Sequence, residues 1–153
     1  MTTIITAALV LLPWNESTPD VALTGKATFY SEGKMAEVAE YREFITDTVA
    51  YQSWLQSSGY VGAVALNRAG DRFREVWLQR PDGIIEGPFF CLDVAQRGKH
   101  YEDREADNRI VEVDHATAER WGMDAPLDGV TVWFEDQTVL FERMRWQSGY
   151  SLF

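Results

Sequence analysis

The stretch Arg109-Ile110-Val111-Glu112-Val113-Asp114-His115-Ala116-Thr117-Ala118-Glu119-Arg120-Trp121-Gly122-Met123 changes its periodicity halfway along. Its first five residues alternate, with Val111 and Val113 on one side and Glu112 on the other, the pattern of a half-buried strand. The alternation stops at Asp114, a residue suited to cap a helix by accepting backbone N–H bonds. A short helix is predicted from there to Trp121, closed by Gly122. A strand that runs straight into a capped helix is the most specific piece of local structure in the chain.

Working outward, the neighbouring segments are short strands as well. Residues 26–30 (Lys-Ala-Thr-Phe-Tyr) read as a strand followed by a turn at Ser31-Glu32-Gly33. Residues 60–66 form a small-residue strand containing Gly62, and residues 75–80 alternate in period two before the turn Pro81-Asp82-Gly83. Residues 89–94 are a continuous apolar run broken by Asp93, and residues 129–134 are the last strand of the set. Between the first two strands, Met35, Val38, Ile45 and Val49 fall at helical spacing, so one helix is predicted over about 34–56, ended by Gly59. Six short strands with a compact helix near the end predict a mainly β fold built as a small closed barrel.

The composition narrows the partners. Fourteen Lys and Arg against 24 Asp and Glu leave a formal charge of −10 on 153 residues. That balance excludes nucleic acid, whose phosphates call for clustered Lys and Arg, and an anionic membrane surface for the same reason. Residues 4–12 are apolar, but nine residues are too few to span a bilayer, which takes about 20. No membrane span is therefore expected. Residues 1–21 read as an N-terminal arm, 22–136 as the barrel domain and 137–153 as an apolar tail. Either end could dock on the barrel, on a second copy of the chain or on a partner protein. If the N-terminal segment is a signal the protein belongs to the cell envelope or is secreted; otherwise it is cytoplasmic or virion-associated.

Several chemistries have no basis in the motifs. Cys91 is the only cysteine and sits in an apolar run, so a buried, inert thiol is expected and no disulfide is available. His100 and His115 are the only histidines and lack metal-ligand spacing, so neither a metal site nor a cofactor is expected. The charged run 97–108 reads as a solvated loop.

Taken together, Gly25-Lys26-Ala27-Thr28-Phe29-Tyr30, Phe89-Phe90-Cys91-Leu92-Asp93-Val94-Ala95 and the stretch from Arg109 to Met123 resemble a family of double-psi β-barrels. These are the rare lipoprotein A, barwin and expansin-like proteins, together with the three-aspartate lytic transglycosylases. The likeness covers roughly residues 24–134. It departs where the family has Asp-Arg-Gly, since Asp93-Val94-Ala95 stands there, and residues 60–67 hold no histidine. The resemblance implies a six-stranded double-psi barrel directed at polysaccharide or peptidoglycan. Asp93 takes the place of the catalytic acid and Glu112 that of a second acid, with Tyr30, Trp77 and Arg109 as substrate contacts.

Physical chemistry allows two readings of Asp93. A carboxylate between Leu92 and Val94 is costly to bury unpaired, and desolvation favours its protonated form, as a general acid for glycosidic cleavage requires. Alternatively, Asp93 is structural and accepts backbone bonds at a strand crossover. Glu112 is either its catalytic partner or an exposed strand glutamate, and Trp77 either a sugar platform or packing. Three functions compete: a glycan-cleaving enzyme, a non-catalytic glycan-binding module, and an assembly protein, of a virus or phage for example, that uses the barrel as a scaffold.

Overall fold

The computed structural model describes residues 22–94, 102–103 and 106–134. The N-terminal arm, the apolar tail, His100 and most of the charged run 97–108 lie outside them. Six strands form the body: β1 (Leu23–Phe29), β2 (Gly62–Leu66), β3 (Glu75–Gln79), β4 (Ile85–Val94), β5 (Arg109–Val113) and β6 (Leu127–Phe134). Three helices accompany them: α1 (Lys34–Tyr41), α2 (Thr48–Ser58) and α3 (His115–Arg120). The strands close into a barrel in the order β1-β5-β2-β4-β3-β6, as the strand count predicts. β1 runs parallel to β5 and β2 parallel to β4, while the other four pairings are antiparallel.

Alternation decides what fills the barrel. Val64, Leu66, Val76, Leu78, Phe89, Cys91, Val111, Val113, Val130 and Val132 point inward and are fully buried or nearly so. Ala118 and Trp121 of the α3 region join this core. A second apolar cluster lies on the outer face, where Met35, Ala36 and Ala39 of α1 and Tyr51 of α2 meet Ala63, Phe90 and Leu92. β2 is consequently buried on both faces. Its Gly-Ala-Val-Ala-Leu sequence fits that position: Val64 and Leu66 fill the interior, while the small Ala63 leaves room outside for the helices. Leu66→Ala in this setting would cost about 2–5 kcal/mol.

The single helix predicted over 34–56 is in fact two. Arg42 closes α1, Glu43 adopts a left-handed φ of 56°, and Asp47 restarts the chain by accepting a hydrogen bond from Ala50 N at 2.9 Å. The break was hidden because Phe44 and Ile45, which lie in the connection, also pack on the outer cluster and so continue the apolar spacing. Gly59 and Gly122, at left-handed φ of 81° and 67°, end α2 and follow α3 where the sequence places them. β1, β4 and β6 begin two to four residues earlier than their side-chain alternation suggests. Those first residues are held by backbone pairing at the barrel rim, as in Leu23 with Val132 and Ile85 with Gln79.

Candidate functional site

The register of the sheet brings the two predicted acids onto one line. Ala65 of β2 stands opposite Glu112 on β5 and opposite Asp93 on β4, and Glu112 in turn stands opposite Thr28 on β1. Thr28, Glu112, Ala65 and Asp93 therefore cross four adjacent strands in a row. Ala65, which stands between the two acids in the row, is 1% exposed. Two inter-strand spacings separate the acid-bearing backbones, about 10 Å. Strict alternation along β4 would turn Asp93 inward like Cys91, but the pairing skips a residue: Val64 pairs with Cys91 and the next residue of β2 with Asp93. The extra residue, Leu92, is a bulge that re-aims the strand. Leu92 thus joins the outer cluster, and Val94 packs against the barrel core.

Asp93 is held by groups from outside the barrel. Arg42, at the end of α1, sets two guanidinium nitrogens on Asp93 Oδ1, Nη2 at 2.7 Å and Nε at 2.9 Å. Tyr30 Oη donates to Asp93 Oδ2 at a longer 3.4 Å. Both members of the ion pair are largely shielded, at 16% and 14% side-chain exposure, so the expected cost of burying Asp93 is met by pairing. Thr28 Oγ1 at the other end of the row is buried and makes no hydrogen bond among the described residues.

The predicted substrate contacts are distributed unequally. Tyr30 is beside Asp93. Trp77 faces outward on β3 opposite Trp133, with its ring laid over Gly87 so closely that a Cβ there would come within 2.8 Å. Gly87 precedes Asp93 by six positions on β4, about 20 Å of strand, so Trp77 does not share the acid row. Arg109 lies at the start of β5 and pairs with Asp107 at 3.1 Å. Asp107 also accepts from Lys26 Nζ at 2.9 Å, and that bond holds its carboxyl below the usual range. Arg42, which sequence reasoning did not select, is ion-paired to the candidate acid at 2.7 Å. Its one signal was being the sole arginine between Tyr30 and Asn67, set among Glu37, Glu40 and Glu43.

Two further expectations are met. Asp114 caps α3, accepting from Thr117 N at 2.9 Å, and its other oxygen accepts from Ala63 N at 2.8 Å. The Cys91 thiol is fully buried, and burial pushes it up to about 12. Among the described residues no group of three or more His, Cys, Asp or Glu is placed to hold a metal ion. No helix among them is long and apolar enough to cross a membrane. No protein-family model matches the chain, and neither a curated protein nor a solved structure matches it.

Proposed function

We propose that the protein is a double-psi β-barrel related to the rare lipoprotein A and lytic transglycosylase group, and that it acts on polysaccharide or peptidoglycan. The observation that carries this reading is the row in which Asp93 and Glu112 flank Ala65 on three adjacent strands. Support for the barrel type comes from its two parallel pairs and from the resembling segments, which fall on β1 and on β5 with α3. In this reading a sugar lies over Ala65. The Asp93 carboxyl gives its proton to the glycosidic oxygen as the C–O bond breaks. Glu112 takes the proton of the incoming hydroxyl or water, so the pair ends with charges exchanged. A backbone separation of about 10 Å leaves space for that hydroxyl.

One observation favours a second reading, a glycan-binding module without catalysis. The Arg42 guanidinium satisfies the Asp93 carboxylate, and a paired carboxylate accepts protons and hydrogen bonds rather than donating them. Digestion of purified cell walls by wild type and Asp93→Asn separates the two. The enzyme releases soluble sugar or muropeptide and loses that activity in Asp93→Asn with the fold intact. A binding module releases nothing, yet both proteins sediment with insoluble wall. Absence of both release and sedimentation would refute a glycan-directed role.

A further inference from the structure

A cleft of about 230 Å³ opens between α1, α2 and α3, separate from the acid row. Asp93, Arg42, Tyr30 and Glu112 do not line it. Tyr51 and His115 do, and each carries a buried polar atom with no hydrogen bond among the described residues: Tyr51 Oη and His115 Nδ1. Tyr51 is only 4% exposed, and its hydroxyl lies in the field of the Asp114 carboxylate, which lines the same cleft. Native structures leave few such atoms unpaired, so two at one cavity call for an explanation.

The charge of the cleft is uniform in sign, while Ser31 and Gln52 add groups that both donate and accept. His115 Nε2 faces Glu119 Oε1 at 3.3 Å, which places the neutral ring's proton on Nε2 and leaves Nδ1 as an acceptor. Glu32, Asp114 and Glu119 add carboxylates, and no lysine or arginine lines the space among the described residues. Met35, Ala36 and Leu55 supply an apolar wall. Acceptors beside an apolar wall call for a ligand with N–H donors, positive charge and a short hydrocarbon body. The acids do not converge on a point in the way a metal ion requires.

We infer that this cleft binds a small organic cation, a primary amine whose ammonium is received by Tyr51 Oη and His115 Nδ1 while its alkyl part rests on Met35 and Leu55. The inference goes beyond the glycan reading and does not depend on it. Reaching the two screened atoms takes side-chain adjustments of the size common on binding.

The test is a titration of the full chain with n-butylammonium chloride, followed by NMR, with sodium butyrate at equal ionic strength as the control. The amine should produce saturable shifts in residues 50–55 and 114–119, and butyrate none. Tyr51→Phe removes the hydroxyl and keeps the ring; it should weaken amine binding at least fivefold without lowering the melting temperature in amine-free buffer. Glu119→Gln, on an exposed position, should weaken it as well. Equal response to butyrate, or no response to the amine, overturns the proposal. A lowered melting temperature for Tyr51→Phe does too, because it would mean that the hydroxyl already has an internal partner.

Discussion

Replacing Asp114 with alanine tests how β5, α3 and β2 are tied together. Asp114 is 5% exposed, and its two oxygens serve two different elements. Oδ1 caps α3 through Thr117 N at 2.9 Å, and Oδ2 accepts from Ala63 N of β2 at 2.8 Å. Loss of the cap alone costs about 1 kcal/mol. Truncation also strands the Ala63 N–H inside the protein, where an unsatisfied donor costs about 1–3 kcal/mol. The sum is about 2–4 kcal/mol, or a fall of roughly 6–12 °C in melting temperature for a chain of this size. Urea denaturation and thermal melting of Asp114→Ala should both show it.

Gly62 provides the internal check on that figure. A Cβ at Gly62 would lie 2.6 Å from Asp114 Oδ2 and 2.9 Å from Thr117 Oγ1, so Gly62→Ala displaces the same carboxylate. In the Asp114→Ala background the main obstruction is gone. The double-mutant cycle should accordingly show a coupling of about 1 kcal/mol or more. A loss below 1 kcal/mol for Asp114→Ala, or additive effects of the two changes, would refute the bridging role.

Two other outcomes follow from the side-chain environments. Burial raises the Cys91 thiol from 9.0 to about 12, so the folded state keeps a proton that the unfolded chain releases above pH 9. This stability is present in full below pH 9 and is lost at up to about 1.4 kcal/mol per pH unit as pH rises toward 12. Burial holds the Tyr51 hydroxyl up in the same sense, adding to the loss above pH 10. Urea midpoints across that range should fall less steeply for Cys91→Ala, and iodoacetamide should label the native thiol only as fast as the protein opens. Arg42→Gln leaves Asp93 largely shielded with a long bond from Tyr30 among the described residues, and should cost about 1–3 kcal/mol by urea denaturation, part of which Asp93→Asn in the same chain should restore. No loss in Arg42→Gln would show that the ion pair contributes nothing to folding.

What could be read from the sequence was what local chemistry specifies. The β5–α3 junction is legible because Val111 and Val113 alternate, Asp114 is a capping residue and Gly122 stops the helix, all within twelve residues of chain. Cys91 was legible because its neighbours are all apolar. The ion pair at Asp93 was not, since Arg42 is 51 residues away and no local pattern announces a contact made by folding. The division of the long helix was masked because apolar residues in the connection serve the same outer cluster as those in α1 and α2. The bulge at Leu92, which turns Asp93 to the outer face, is a product of parallel pairing with β2 and leaves no mark in the sequence.

Under the proposed glycan-directed role, the choice between cleavage and binding comes down to the two oxygens of Asp93. Oδ1 is occupied by two nitrogens of one guanidinium, while among the described residues Oδ2 has the longer bond from Tyr30 at 3.4 Å. A sugar hydroxyl arriving over Ala65 can donate to Oδ2 without disturbing Arg42, and such a complex needs no protonated carboxyl. Cleavage demands more: Arg42 must withdraw, or the substrate must displace it, before both Asp93 oxygens are open to the substrate. Arg42 sits where α1 ends and the chain turns toward α2, on an element attached to the barrel by the outer cluster and not by strand pairing. A catalytic version of this site therefore couples chemistry to movement of α1, whereas a binding version uses α1 as a fixed wall. Removing the guanidinium with Arg42→Gln discriminates between them: it should raise wall digestion if Arg42 blocks the acid, but weaken a binding site by loosening Asp93.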